Sequence, residues 1–411
     1  MKYVFSLLDI NKKNDYLSKL SRKTVVIFGA SHVGMIVLYA LKKKSIEITC
    51  FCDNKMEKQN TFFCGVPVIS VEDLAKLHPG ASVFISSIQF DGIASQLMDK
   101  GYTDIYNCVD LLQGLEIEGN FPISFELLTR ALDTYMLVFL SKYRKNFLSI
   151  HSLDLVVTEK CSLKCKDCAN LMQYYEKPKD SDEKMLIEAL HRIFQAVDYV
   201  HEFRVIGGEP FMYNNLRSIL YHLSTLSKYS RILIYTNGTM VPNNDLFCGY
   251  DTANVEVIIA DYGDLSKKIV QLKEKLTVQK ICYDVVKFDK WMDCAVIKYH
   301  DRTEDELKFL YYNCCAKTTF TLLHGKLYSC PFSANAYNLR AIPSQPNGWQ
   351  DGIDCLNNNV KIDELKARIK KLYLETDYIH ACKYCNGRDY SVTEIPSAIQ
   401  TKSCIPYERL C

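Results

Sequence analysis

The chain has 411 residues, 48% of them hydrophobic and 24% charged, the composition of an ordinary soluble globular protein. That length is too great for one core and predicts two or three domains. Lysine plus arginine number 50 against 48 acidic residues, a balance that argues against a nucleic-acid footprint over the whole chain.

No apolar stretch reaches the roughly 18 residues of a membrane span. Residues 1–12 hold only a short apolar patch before Asp9 and no cleavage-like segment, so no signal peptide is expected. The 18 cysteines are then expected in a reducing, cytoplasmic compartment, where clustered ones suggest metal. There is no internal repeat and no low-complexity segment.

Residues 23–28 (K-T-V-V-I-F) read as a buried strand. It runs into Gly29-Ala30-Ser31-His32-Val33-Gly34, a helical pattern over 35–44, and a second strand over 46–52 that ends in Asp53. This is the first βαβ of a Rossmann-like unit. Gly29 permits the tight turn and Gly34 close helix packing. Asp53, nineteen residues past Gly34, stands where a ribose hydroxyl acceptor sits. Ser31 replaces the middle glycine of the fingerprint. Its hydroxyl can meet a phosphate at the helix N-terminus, but its side chain blocks the closest backbone approach. The alternation continues with an extended 65–69, a helix over 71–77, a strand over 81–87, a helix over 93–100 and a strand over 104–108. The G-A-S-x-x-G turn, the F-x-D-N strand end and the G-x-P-V-I-S element resemble the N-terminal domains of sugar-modifying and sugar-transferring proteins in bacterial surface-polysaccharide pathways, over roughly residues 20–115. The resemblance implies a nucleotide or nucleotide-linked ligand; a structural unit with an empty pocket is the alternative. Cys50, Cys52, Cys64 and Cys108 read as core residues, since buried cysteine behaves as a small hydrophobe.

Residues 121–149 read as one or two amphipathic helices bridging the domains. The basic run Lys142-Tyr143-Arg144-Lys145 fits a packed inter-domain helix, with a membrane surface as the alternative.

From residue 153 a second βα alternation begins: strands over 153–157, 202–206, 231–235 and 255–260, helices over 183–198, 214–227 and 264–275. Cys161, Cys165 and Cys168, spaced C-x3-C-x2-C, fall on the loop that leaves the first strand. Three thiolates so close can clasp three irons of a 4Fe-4S cluster and leave the fourth iron open; a zinc knuckle or free thiols would use the same spacing. The second strand ends in Gly207-Gly208-Glu209-Pro210. Two glycines let the backbone approach a ligand closely, and a carboxylate accepts from an ammonium. Thr236, Asn237 and Asp261 stand at later strand ends, where the active groups of parallel barrels gather; each also suits turn chemistry.

The triad followed by G-G-E-P resembles the radical S-adenosylmethionine (SAM) superfamily. The resemblance implies a partial barrel, commonly of six strands, for which the chain has room. It implies that SAM chelates the open iron, with its amino group held by the G-G-E-P backbone and Glu209. One departure is Asp167 before the third cysteine, where the family often has an aromatic residue near the adenine.

Residues 317–323 and 326–329 form two short strands around His324-Gly325, a hairpin whose glycine supplies the turn. Cys315 precedes it and Cys330 follows it. A C-x2-C pair, Cys382 and Cys385, comes after an amphipathic helix with Ile362, Leu365, Ile369 and Leu372 on one face. Four thiolates suit a closed 4Fe-4S cluster or a structural zinc. Cys314 beside Cys315 leaves the first ligand ambiguous by one position. The arrangement resembles the twitch extension of radical SAM proteins. Cys404 and Cys411 stand off the spacing of the longer SPASM version, so one auxiliary cluster is expected.

The expected architecture is α/β: a Rossmann-like domain over 1–115, a helical linker over 116–150, a partial (β/α)6 barrel over 151–305 and a twitch-type α+β module over 306–411. By resemblance the chain cleaves SAM reductively and abstracts hydrogen from a small molecule, a nucleotide-linked or phosphorylated sugar or polyol, with a flavodoxin- or ferredoxin-type reductant. An auxiliary cluster suits oxidation. Epimerisation needs a thiol, and Cys248, Cys282, Cys294 and Cys355 are unassigned. A peptide-modifying enzyme and an NAD(P)-linked electron-transfer protein are the alternatives.

Overall fold

Apolar runs alternating with helical periodicity build two parallel sheets, one in each unit into which the chain divides, Met1–Lys145 and Asn146–Cys411. The structure, a computed structural model, describes residues 2–4, 20, 23–119, 121–144, 146–344, 352–388 and 392–409. Residues 5–12, expected to carry no signal peptide, lie outside them, as do Lys145 and Cys411.

The first unit runs β1 (Lys2–Val4), β2 (Val25–Phe28), α1 (His32–Lys43), β3 (Cys50–Cys52), β4 (Thr61–Phe63), β5 (Val66–Ile69), α2 (Val71–Leu77), β6 (Ser82–Ile85), α3 (Phe90–Asp99), β7 (Ile105–Asn107), α4 (Val109–Leu112), β8 (Glu116–Glu118) and α5 (Phe125–Tyr143). The main sheet has the order β4-β5-β3-β2-β6-β7, with β4 alone antiparallel. This is a doubly wound order whose switch point lies at the end of β2. β2 and β6 are buried along their whole length, as strands covered on both faces must be. The edge strand β4 was not signalled in the sequence, being short and mostly exposed. Cys64, expected in the core, is exposed; it holds a left-handed turn position at φ 52° beside Gly65. Within this unit α5 packs on α1. Lys142 pairs with Asp91, and the Tyr143 ring stands 4.3 Å from that of Phe139.

The second unit runs β9 (Ser149–Thr158), α6 (Glu183–Ala196), β10 (Tyr199–Gly207), α7 (Leu216–Ser224), β11 (Tyr229–Thr236), β12 (Val255–Asp261), α8 (Ile269–Val278), β13 (Cys282–Lys287), β14 (Lys290–Met292), α9 (Glu304–Asn313), β15 (Thr319–Leu323), β16 (Lys326–Tyr328), α10 (Pro331–Asn338), β17 (Ile353–Asp354), α11 (Ile362–Lys370) and β18 (Glu394–Pro396). Its sheet order is β13-β12-β11-β10-β9-β15-β16-β17. Five parallel strands precede the hairpin; the sixth, β15, is the hairpin's own first strand, paired in parallel with β9. The hairpin therefore extends the barrel sheet. His324 and Gly325 turn it with φ of 47° and 78°, the positive pair that a two-residue hairpin loop favours.

Strand periodicity sorts the side chains of β9 and β10. Leu153, Leu155, Val157, Phe203 and Val205 join the helix-covered core. The opposite face is layered and polar. Ser152 donates to Glu202 at 3.0 Å and Arg231 meets Glu202 at 2.5 Å. One layer up, Arg204 pairs with Asp154 at 2.8 Å and lies over the Tyr235 ring. Burial pushes the Asp154 carboxyl up to about 6 against the pull of Arg204. The next layer is Val156 and Ile206; above it the strand ends open into the site.

Candidate functional site

The cysteine loop is anchored at its root. Thr158 donates to Asp180 at 2.6 Å, and Lys160 reaches the same carboxylate at 2.7 Å. Beyond it, Cys161, Cys165 and Cys168 line one wall of a cavity of about 510 Å³. Each sulfur faces N–H donors. Asn237 Nδ2 stands 3.6 Å from Cys161 Sγ and Gln400 Nε2 stands 3.2 Å from Cys165 Sγ; Cys168 receives backbone N–H groups of Met172 and Asn170. Burial raises all three thiols, Cys165 to about 11. A bound cation that favours thiolate reverses such a shift. Three inward thiols with N–H donors and open space beside them fit a 4Fe-4S cluster with one iron free for a second ligand.

The G-G-E-P segment is the loop's other support. A Cβ on Gly207 would lie 2.2 Å from the Thr158 carbonyl oxygen, and one on Gly208 2.2 Å from that of Lys160. The close approach lets Gly208 N–H donate to Thr158 O at 2.9 Å and Glu209 N–H to Lys160 O at 2.8 Å. Pro210 opens a short 3-10 turn. Gly207 and Gly208 line the cavity. Glu209 does not: it is fully buried at 0% exposure. Its oxygens accept from Thr236 Oγ1 at 2.9 Å, Phe211 N–H at 3.1 Å and Asn237 N–H at 2.8 Å. Burial pushes its carboxyl up to about 7 against these donors. In this geometry Glu209 fixes Thr236 and Asn237, both on the cavity wall, instead of reaching a ligand itself. In either amide orientation Glu209→Gln would set its NH2 against a backbone N–H, that of Phe211 or that of Asn237. The expected loss is about 1–3 kcal/mol of stability, read as a lower denaturant midpoint at unchanged slope.

Asp261 turns away; it accepts from Gly263 N–H at 2.9 Å, while Ala260 and Tyr262 line the cavity on either side of it. Asp167 lines the wall. Across the cavity stand Tyr262, Phe288 and Trp291, with Tyr262 edge-on to Trp291 at 5.6 Å. Nothing in the sequence marked these residues, nor Arg204 and Arg388, which also line the cavity, because only the fold gathers them; Cys294, one of the unassigned thiols, lines it as well.

The second cysteine set surrounds a small pocket of about 30 Å³ lined by Cys314, Cys330, Cys382 and Cys385. Cys315, the residue expected there, is exposed and absent from the wall. The correction follows from the end of α9: Cys314 caps it in extended conformation and turns inward. Cys315 N–H is held by the Arg388 carbonyl at 2.8 Å. Cys330 caps α10 and its sulfur accepts from Ser333 N–H at 3.4 Å; Cys385 Sγ accepts from Gly387 N–H at 3.2 Å. Arg302 clamps the C-x2-C turn by donating to the carbonyls of Cys382 and Cys385 at 2.6 and 2.7 Å. Among the described residues no three His, Cys, Asp or Glu side chains are grouped around a single ion; a 4Fe-4S cube spreads its ligands over its corners. Arg388 lines both this pocket and the large cavity, and its buried Nε has no hydrogen-bond partner among the described residues. Cys248 and Cys282 are exposed, and Cys355 lies in the core.

In the first unit Gly29 turns at φ 112°, and a Cβ on Gly34 would lie 2.1 Å from the Gly29 oxygen. Ser31 caps α1, accepting from Gly34 N–H at 3.2 Å. Asp53 is engaged by its own chain. It accepts from Ala30 N–H and Lys55 N–H, both at 2.9 Å, and pairs with Lys58 at 3.2 Å.

Residues 21–105 match the family described as C2185-like, N-terminal, and residues 154–246 the 4Fe-4S single cluster domain. The chain is 31% identical over 96 residues to the GTP 3',8-cyclase of Clostridium acetobutylicum, a match covering 23% of this chain and 29% of that protein. It thus spans less than a third of that relative. Among solved structures, BtrN in complex with AdoMet and 2-DOIA is 17% identical at a TM-score of 0.36, covering 59% of this chain and 94% of that one. The anSMEcpe structure with bound AdoMet and Cp18Cys peptide is 14% identical at 0.30, covering 44% and 73%. Streptococcus suis SuiB bound to S-adenosylmethionine is 15% identical at 0.30, covering 51% and 67%. The cysteine loop and the sheet beneath it are the part of the chain that matches the 4Fe-4S single cluster domain, and the cavity lies at their C-terminal strand ends. The triad, the G-G-E-P strand end and the 4Fe-4S single cluster match over residues 154–246 together carry the chain's likeness to the radical SAM superfamily.

Proposed function

We propose that the protein is a radical SAM enzyme that oxidises a small hydroxylated molecule, a nucleotide-linked or phosphorylated sugar or polyol. One observation carries the reading: the cavity walled by Cys161, Cys165 and Cys168 is also walled by Arg388, which lines the second cysteine pocket, and by Pro331, which follows Cys330 of that pocket in sequence. A substrate between the two sets can lose a hydrogen atom on one side and an electron on the other. A 4Fe-4S cluster held by Cys161, Cys165 and Cys168 with SAM bound would supply hydrogen abstraction, and a second one held by Cys314, Cys330, Cys382 and Cys385 would supply one-electron transfer.

The chain's own residues do the rest. Gly207 and Gly208 bring the backbone to the ligand, Glu209 holds Thr236 and Asn237 in place, and Tyr262, Phe288 and Trp291 shield the space from water. At about 510 Å³ the cavity is of ordinary size for a small ligand, roughly 300–1,000 Å³. Arg388, with no partner at Nε among the described residues, suits an oxyanion. Arg388→Gln is expected to raise KM for a phosphorylated substrate roughly tenfold or more, since hydrogen bonds to charged groups are worth about 1.5–3 kcal/mol.

Epimerisation is the second reading, favoured by Cys294 on the cavity wall, where a thiol could return hydrogen. The assay is anaerobic: reconstitute, reduce with dithionite or a flavodoxin-type protein, add SAM and a phosphorylated polyol or nucleotide sugar, and quantify 5′-deoxyadenosine. Carbonyl product supports oxidation. Deuterium taken from D2O at an inverted carbon supports epimerisation. A reconstituted protein whose cluster spectrum ignores SAM overturns both.

A further inference from the structure

The C-terminal segment returns to the SAM-site loop as a strap. β18 pairs with β14 beside the cavity, and four residues further on Gln400 forms an antiparallel bridge with Cys165. Lys166 N–H donates to Ile399 O and Thr401 N–H to Lys164 O, both at 2.7 Å. The Gln400 carboxamide is oriented by two backbone groups. Its oxygen accepts from Lys164 N–H at 2.8 Å, and its nitrogen donates to Ala398 O at 2.8 Å. Exchanging O and N would set donor against donor and acceptor against acceptor, so the network fixes the amide. The nitrogen's second hydrogen is left for Cys165 Sγ, 3.2 Å away.

We propose that Gln400 is a positioning residue that sets the reduction potential of the SAM-binding cluster through this N–H to sulfur bond; the inference rests on the functional reading above. Reduction adds one electron to the cluster and its thiolates. A donor at sulfur stabilises the more negative state more strongly, and hydrogen bonds to the sulfurs are among the determinants of cluster potential. Gln400 therefore makes the cluster easier to reduce.

The test is an EPR-monitored redox titration of the full-length, reconstituted protein. Gln400→Leu removes the donor. At a fixed poise its ratio of reduced to oxidised SAM-site cluster is expected to fall roughly tenfold, a shift of about 59 mV for one electron. Gln400→Glu keeps the shape and the Lys164 contact but offers sulfur no donor, so it should fall at least as far. Thr401→Ala, which loses only a hydroxyl contact to Lys164 O at 3.3 Å, should leave the potential unchanged. The auxiliary-cluster signal, unchanged throughout, reports that each variant is folded. Equal potentials in wild type and Gln400→Leu overturn the proposal. So does loss of the SAM-site cluster in both Gln400 variants, which would make the strap an assembly element. A wild-type protein with no SAM-responsive cluster overturns the earlier functional reading instead.

Discussion

Cys165→Ala is expected to abolish 5′-deoxyadenosine formation and to remove the cluster proposed at the triad while leaving the chain folded. The expectation follows from where the three sulfurs sit. Each occupies the same cavity wall, each faces N–H donors, and the loop that carries them is zipped to the end of β10 through Gly208 and Glu209. A cluster held by only three cysteines has no spare protein ligand. Removing one should therefore exceed the roughly 10–100-fold loss typical of an outer-sphere partner. Cys161→Ala and Cys168→Ala should match it. Gly208→Ala should approach the same result without touching a sulfur, because its methyl would lie 2.2 Å from Lys160 O and 2.7 Å from the Cys161 Cβ. Iron content, the SAM-induced change in the EPR signal and product yield are the readouts. Turnover by Cys165→Ala at the wild-type rate would return the triad to a structural role.

What could be read from the sequence was local. Cys161, Cys165 and Cys168 lie within one loop and Gly207 to Pro210 within one strand end, so spacing alone carries their chemistry. The βα rhythm of both units was legible for the same reason: parallel strands buried on both faces leave apolar runs such as V-V-I-F. The inward layers were not. Asp154 sits inside an apolar run, and only the register opposite Arg204 shows it to be one half of an ion pair. β15 was read as half of a hairpin, which it is. Its pairing with β9 depends on which strand lies at an open edge of the sheet, and no periodicity records that. Gln400 and Cys165 are 235 positions apart, and Arg388 gains its meaning only from two cavities meeting around it. Asp53 is a case where the fold adds partners that the sequence did not show. Its position in the fingerprint suggested a ribose acceptor, while the fold surrounds it with Ala30, Lys55 and Lys58.

Cys314 and Cys315 differ most sharply where the sequence treats them alike, and iron content separates them. The wild type with two 4Fe-4S clusters should carry about eight irons per chain. Cys314→Ala is expected to fall toward about four and to lose the auxiliary signal, while the SAM-responsive signal and slow substrate-free SAM cleavage persist. Cys315→Ala should keep about eight. The reason is the end of α9. Its last turn stops at Asn313, and Cys314 caps the helix by donating its N–H to Tyr311 O at 3.2 Å. It thereby turns into the pocket that Cys330, Cys382 and Cys385 share. Cys315, one residue on, is tied by its backbone to Arg388 and points outward to solvent. Helix end, Arg388 carbonyl and the Arg302 clamp on the C-x2-C turn are independent supports, so a swap of the two cysteines would require all three to move together. If Cys315→Ala were the variant that loses iron, cluster binding would have to unwind the end of α9 and release Arg388, and the link from the auxiliary pocket to the substrate cavity through Arg388 would have to be redrawn.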